Sequence, residues 1–197
     1  MINLEKGQRI NLEESLHFVG VGLGWKPNEG TGAAFDLDAS AFMLNANGKL
    51  ANDNYFVFYG NQTSPDGAVK SSGDDTDGGG DDDGGDNETL TVDLQKVNPN
   101  IQEIIFTATI YEASVRRQNF GQVRNAYIRI YNDETNEEIA RYDLDEDFSI
   151  ETAVEFGRLY RKNGIWKFEA MGYGYKHGLA RLVEKYGSSV TSNSQNL

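Results

Sequence analysis

The chain has no cysteine, so disulfides, thiolate metal sites and a cysteine nucleophile are all excluded. Its two histidines, His17 and His177, are too few to favour a zinc site without thiolates. Basic residues are in the minority: 18 Lys and Arg against 31 Asp and Glu leave a formal net charge of −13. The cationic excess needed for nonspecific nucleic-acid binding, or for direct docking on anionic lipid, is missing. No apolar run approaches the roughly 20 residues that span a bilayer. The opening Met-Ile-Asn-Leu-Glu-Lys also lacks the apolar core of a signal peptide. The expectation is a soluble, cytoplasmic chain without membrane insertion. Proline is scarce, at 3 residues, while glycine reaches 22. With 38 % hydrophobic and 11 % aromatic residues in 197, the composition suits a folded domain with a sizeable core.

What is there in excess is acid, and much of it sits in one stretch. Gly73 to Glu88 reads G-D-D-T-D-G-G-G-D-D-D-G-G-D-N-E, with eight acidic residues and no basic one. It has no large apolar side chain to bury, and its carboxylates repel each other. Composition leaves two readings open: a solvated, disordered linker, or a loop that orders when hard cations neutralise it. Calcium takes six to eight oxygen ligands on a chain that bends sharply around the ion. Asp, Asn and Glu supply such oxygens here, and glycine permits the bends. The D-x-D-x-D-G spacing of an EF-hand is absent.

The rest of the chain reads as short strands between turns. In 16–25, Val19, Val21, Leu23 and Trp25 alternate mostly with glycine, which permits close approach of another backbone. In 34–44, Leu37, Ala39, Ala41 and Met43 face one way, and Asp36, Asp38 and Ser40 the other. Same-face neighbours on a strand are roughly 7 Å apart, so two carboxylates stand together there and need solvent or a cation. Further strands are expected over 55–59, 68–70, 89–94, 103–111, 125–131 and 138–144, with 103–111 central, and a helical turn over 113–120. Asn163-Gly164 predicts a tight type I′ hairpin joining 153–161 to 165–175. Leu179, Leu182, Val183 and Tyr186 fall at helical spacing, with Gly187 as the expected C-cap. The reading is a mainly β chain: a β-sandwich of two antiparallel sheets with one or two short helices. It forms a single domain over 1–187, followed by a polar tail over 188–197.

If the Asp36–Asp38 face meets the base of the acidic loop, Asn61 and Asp66 at neighbouring turns add further oxygens, and ligands converge from several segments. A solvent-exposed edge is the alternative reading of Asp36 and Asp38.

The runs G-W-K-P and F-D-L-D-A-S-A-F within 24–42, then Y-F-V-F-Y-G-N and the glycine–aspartate loop, resemble the tellurium-resistance TerD family. R-R-Q-N-F-G-Q-V at 116–123, A-R-Y-D-L at 140–144, F-G-R-L-Y-R-K-N-G-I-W-K-F and G-Y-G-Y continue the resemblance, which runs in order from Leu4 to Gly187. It implies a β-sandwich, calcium bound by the acidic loop together with the aspartate-bearing strand, and no enzymatic activity. It also implies a role in resistance to tellurite and other stresses in bacteria, including DNA-damaging agents and phage. Other Ter-type proteins are the implied partners, with a membrane-embedded TerC-like protein that would place the chain peripherally at the inner membrane. The family loop reads close to G-D-N-x-T-G-x-G-x-G-D-D-E. Gly73, Asp74, Gly78, Gly80, Gly85, Asp86 and Glu88 match it. Asp75, Asp77 and Asn87 replace its Asn, Thr and Asp, each keeping a side-chain oxygen. Extra residues around Asp81 to Asp83 leave the ligand within that triplet unassigned. The expected calcium ligands are Asp36, Asp38, Asn61, Asp66, Asp74, Asp75, Asp83, Asp86, Asn87 and Glu88.

Competing chemistries have less to stand on. Asp36 and Asp38 as a glycosidase pair would need one acid with a raised pKa in an apolar pocket, and nothing marks a substrate groove. A calcium-dependent hydrolase and a pure scaffold with a disordered loop remain the alternatives. The G-V-G-L-G of 20–24 leads into Trp-Lys-Pro instead of a helix, so it is no phosphate loop. Arg116 and Arg117 form a compact basic patch, read either as a solvated turn or as a contact for an acidic partner or a second copy of the chain.

Overall fold

Alternation of apolar and small or polar residues builds nearly every element. The computed structural model describes residues 2–27, 30, 32–73, 85–144 and 148–187. In chain order the strands are β1 (Ile2–Asn3), β2 (Arg9–Asn11), β3 (Phe18–Lys26), β4 (Leu37–Asn45), β5 (Phe56–Val57) and β6 (Val69–Ser71). They continue as β7 (Glu88–Asp93), β8 (Ile101–Ile110), β9 (Arg124–Asn132), β10 (Glu137–Asp143), β11 (Ala153–Lys162) and β12 (Ile165–Tyr175). Two helices, α1 (Ala113–Arg116) and α2 (Gly178–Tyr186), accompany them.

The strands form two six-stranded sheets, in the orders β1-β10-β9-β3-β7-β6 and β2-β12-β11-β8-β4-β5. All pairs are antiparallel except β1 with β10. One continuous core joins Val19, Val21, Leu23, Leu90 and Val92 of the first sheet to Leu37, Met43, Phe106 and Leu159 of the second. In β7 the core phase is Glu88, Leu90, Val92, which places a carboxylate where alternation demands a buried side chain. Strand β8 lies between β11 and β4, in the central place expected of it. Asn163 and Gly164 both have positive φ, 54° and 79°, the type I′ geometry that the dipeptide predicts.

Four local expectations are corrected. The strand expected over 55–59 shrinks to Phe56–Val57, because Asn52 caps a single 3-10 turn at Asp53–Tyr55 through its side chain. Gly187 ends α2 without the left-handed backbone of a glycine cap, at φ −52°. Val183 is 41 % exposed, and the buried stripe of α2 is Leu182 and Tyr186. The glycines of β3 admit side chains, not backbone: Tyr131 lies over Gly20, the Asp86 carboxylate over Gly22 and Tyr127 over Gly24. A methyl group at Gly22 would collide with the Asp86 carboxylate. Gly22→Ala should therefore cost about 1–3 kcal/mol, read as a lowered midpoint in urea.

Candidate metal centre

The acid-rich stretch is sprung between adjacent strands. β6 and β7 pair through Val69–Val92 and Ser71–Leu90, and the pairing runs on past the end of β6. Ser72 N donates to Thr89 O at 2.9 Å, and Thr89 N donates back to Ser72 Oγ at 3.0 Å. Its two ends are thus brought side by side, which removes much of the entropy that closing a loop around an ion would otherwise cost.

Each candidate ligand has its own surroundings. Asp36 and Asp38 are buried, 6 % and 7 % exposed, so the exposed-edge reading fails. β4 is flanked by β8 throughout but by β5 only at Ala41 and Phe42. Next to Asp38 its other edge therefore has no strand partner. Glu88, 3 % exposed, fills that place: its Oε2 accepts the Ala39 N–H at 2.5 Å. A buried backbone donor left unmade would cost about 1–3 kcal/mol, so this carboxylate closes the seam between the sheets. Asp36 accepts from Arg116 Nη1 at 3.3 Å.

Asn87 and Asp86 hold the returning limb. Asn87 Oδ1 accepts from Trp25 N, and Asn87 N donates to Leu23 O, both at 2.9 Å. Asp86 lies on the glycine side of β3, where Arg129 Nε donates to its Oδ2 at 2.7 Å and its Oδ1 at 2.9 Å. Tyr127 Oη is a second donor, to its Oδ1 at 3.1 Å. Its hydroxyl pKa is pushed up to about 12, by burial first and then by the Asp86 charge. Arg129 also stacks 4.2 Å over the Tyr131 ring. The sheet separates this carboxylate from Glu88 in the core.

Asn61 and Asp66 belong to turns. Asn61 Nδ2 donates to Phe56 O at 2.7 Å and Asn54 O at 3.0 Å. Asp66 Oδ1 accepts from Ser64 Oγ and Ala68 N, and its Oδ2 accepts from Asn98 N at 2.9 Å. These hydrogen bonds hold both side chains at their turns, through the amide nitrogen of Asn61 and both carboxylate oxygens of Asp66. Asp74, Asp75 and Asp83, with Asp81 and Asp82, lie outside the described residues. Among the described residues, no three His, Asp or Glu side chains are grouped as a metal ion requires. An ion at this seam would need carboxylates from 74–84 as well.

Arg116 is committed within the molecule, to Asp36, to Glu112 at 3.5 Å and over the Tyr111 ring. Arg117 is exposed. A cleft of about 550 Å³ beside Asp38 is lined by Tyr59, Thr109, Tyr111, Glu112 and Val115 among others.

A second carboxylate was not singled out by sequence reasoning. Glu155 of β11 is fully buried beneath α2. Lys185 Nζ, Tyr186 Oη and Tyr175 Oη donate to its Oε1 at 2.8, 2.7 and 3.2 Å. Its Oε2 has no partner among the described residues. A lone acid inside the apolar run A-V-E-F was the available signal, but nothing nearby in sequence names its partner. With no exposed surface, it offers a substrate no access. No helix among the described residues is long and apolar enough to cross a membrane.

Comparison with known proteins agrees with this architecture. The TerD domain model matches residues 1–186. General stress protein 16U of Bacillus subtilis (strain 168) is 51 % identical over 193 residues, spanning 96 % of this chain and 98 % of that protein. Tellurium resistance protein TerD of Serratia marcescens is 50 % identical over 193 residues, spanning 96 % and 99 %. The crystal structure of a homologue of telluride resistance protein (TerD) from Streptomyces coelicolor A3(2) superposes with a TM-score of 0.72 at 21 % identity, covering 88 % of this chain and 100 % of that one. That likeness speaks for the fold alone. This chain belongs to the TerD domain family of tellurium-resistance and general stress proteins.

Proposed function

We propose that the chain is a noncatalytic calcium-binding module of a bacterial tellurite and general stress-resistance system. The observation that carries this reading is the acid-rich stretch tied at both ends to the β6–β7 pair, with buried Glu88 and Asp38 at its base. Calcium would draw Asp74, Asp75 and Asp83 onto that base and complete a set of hard oxygens. Arg116 supplies the counter-charge that keeps Asp36 buried without an ion. The ordered loop would then frame the neighbouring cleft, where Tyr59 and Tyr111 are both 43 % exposed and Val115 is 81 % exposed. Aromatic surface beside an ordered loop suits the docking of another Ter-type protein, including a TerC-like membrane partner. On this reading the chain would act in the cytoplasm, at the inner membrane only through that partner.

Thermal melts test the first step. Calcium at a hundredfold excess over its Kd should stabilise the metal-free protein by about 2.7 kcal/mol. Magnesium should do much less, since it dehydrates reluctantly and demands a tighter octahedron. Identical melting curves with calcium and with chelator would leave the scaffold reading standing.

A further inference from the structure

Lys26 and Arg124 are direct cross-strand partners, at the last paired position of β3 and β9 and just past a bulge in their ladder. Like charges directly opposite each other destabilise a sheet. A chain with 31 acidic residues has ample carboxylate to relieve such a pair, yet among the described residues neither cation makes an ion pair. By contrast, Arg129 and Arg141 of the same sheet each have a carboxylate within 3.4 Å.

The two cations rim a cleft of about 360 Å³, shared with Pro27, Gly30, Phe35 and Gln122. Among the described residues lining it there is no carboxylate. Gln122 spends its carbonyl oxygen on the Asn119 N–H at 3.0 Å, so what it has left for a ligand is its amide donors. Phe35 is buried, and its backbone oxygen accepts from Trp25 Nε1 at 3.2 Å, which gives the cleft a fixed apolar floor. Two unpaired cations and an amide donor around such a floor are complementary to one ligand class.

We propose that this cleft binds a small oxyanion of the phosphoryl class, with Lys26 and Arg124 as its counter-charges and Gln122 as a neutral donor. The guanidinium fork of Arg124 meets two oxygens at once, and the Lys26 ammonium supplies a compact charge to a third. Binding removes the like-charge penalty, so the pair that weakens the empty sheet strengthens the occupied one. The site is independent of the calcium reading, and either can fail without the other.

Backbone amide NMR of the metal-free protein, titrated with inorganic phosphate at constant ionic strength, tests it. Saturable shifts confined to Lys26, Gln122, Arg124 and the Trp25 indole N–H are expected. Titration with adenosine monophosphate separates the sources: tighter binding than phosphate assigns the site to a phosphorylated organic ligand, and equal or weaker binding assigns it to the free ion. Lys26→Gln and Arg124→Gln should each weaken binding roughly tenfold, the loss expected for one charged hydrogen-bonding partner. Both side chains are exposed, so the variants should melt no lower than the parent. Absence of saturable shifts, or binding unchanged in the double variant, overturns the proposal.

Discussion

Replacing Lys185 with methionine should lower the unfolding free energy by about 3 kcal/mol, the low end for breaking a buried ion pair. The low end applies because the lysine side chain is 38 % exposed while Glu155 is 0 % exposed. The substitution leaves a carboxylate without its cation beneath α2, held only by Tyr175 and Tyr186. Denaturant unfolding of the two proteins measures the difference. Adding Glu155→Gln to Lys185→Met should recover most of the loss, since the neutral amide no longer needs a counter-charge. If the double variant is as unstable as the single one, packing and not charge is what Lys185 contributes.

The same cluster governs the alkaline limit of stability. Burial tends to lower the Lys185 pKa, but its hydrogen bonds to Glu155 and Tyr175 outweigh burial and leave it raised. The Tyr186 hydroxyl is raised by burial first and by Glu155 second. In both cases the folded chain keeps a proton that the unfolded chain releases near pH 10. This stability is therefore fully present below about pH 10 and is lost as pH rises from there toward the folded-state values. Tyr186→Phe should flatten that decline in a series of melts at rising pH. An unchanged slope would assign the decline elsewhere.

Arg129→Met should have a comparable effect in the other sheet. The Asp86 side chain is 3 % exposed and Arg129 18 % exposed, so removing the cation strands a carboxylate over Gly22. The expected cost is again about 3 kcal/mol. It also frees the returning limb of the acid-rich loop, so calcium affinity should fall by about 10- to 100-fold, as when the support behind a metal ligand is lost. Arg129→Lys keeps the charge but loses the planar fork, and should restore stability more fully than affinity.

Local patterning carried most of the fold. The alternations in β3, β4 and β7, the Asn163-Gly164 turn and the periodicity of α2 were all legible, because each is fixed by residues within a few positions. What was not legible depends on residues far apart in sequence. Arg129 meets Asp86 across 43 residues and Lys185 meets Glu155 across 30, and nothing local marks either partner. The same limit explains Asn61 and Asp66. Their residue types suit an ion and a turn equally, and the hydrogen bonds to Phe56 and from Asn98 that hold them at their turns depend on the fold. Glu88 was identified as an oxygen donor, but its second task, closing the open edge of β4 at Ala39, follows from strand order. The β3 glycines signalled a close approach correctly and its agent wrongly, since a missing Cβ does not say what fills the space.

Calorimetric titration of calcium into the metal-free protein tests whether the acid-rich loop and Glu88 hold the ion. Saturable heat is expected at micromolar to millimolar calcium, abolished when Asp74, Asp75 and Asp83 are changed together to asparagine and weakened by Glu88→Gln. No heat in the parent protein, or the same heat in the triple variant, would contradict it.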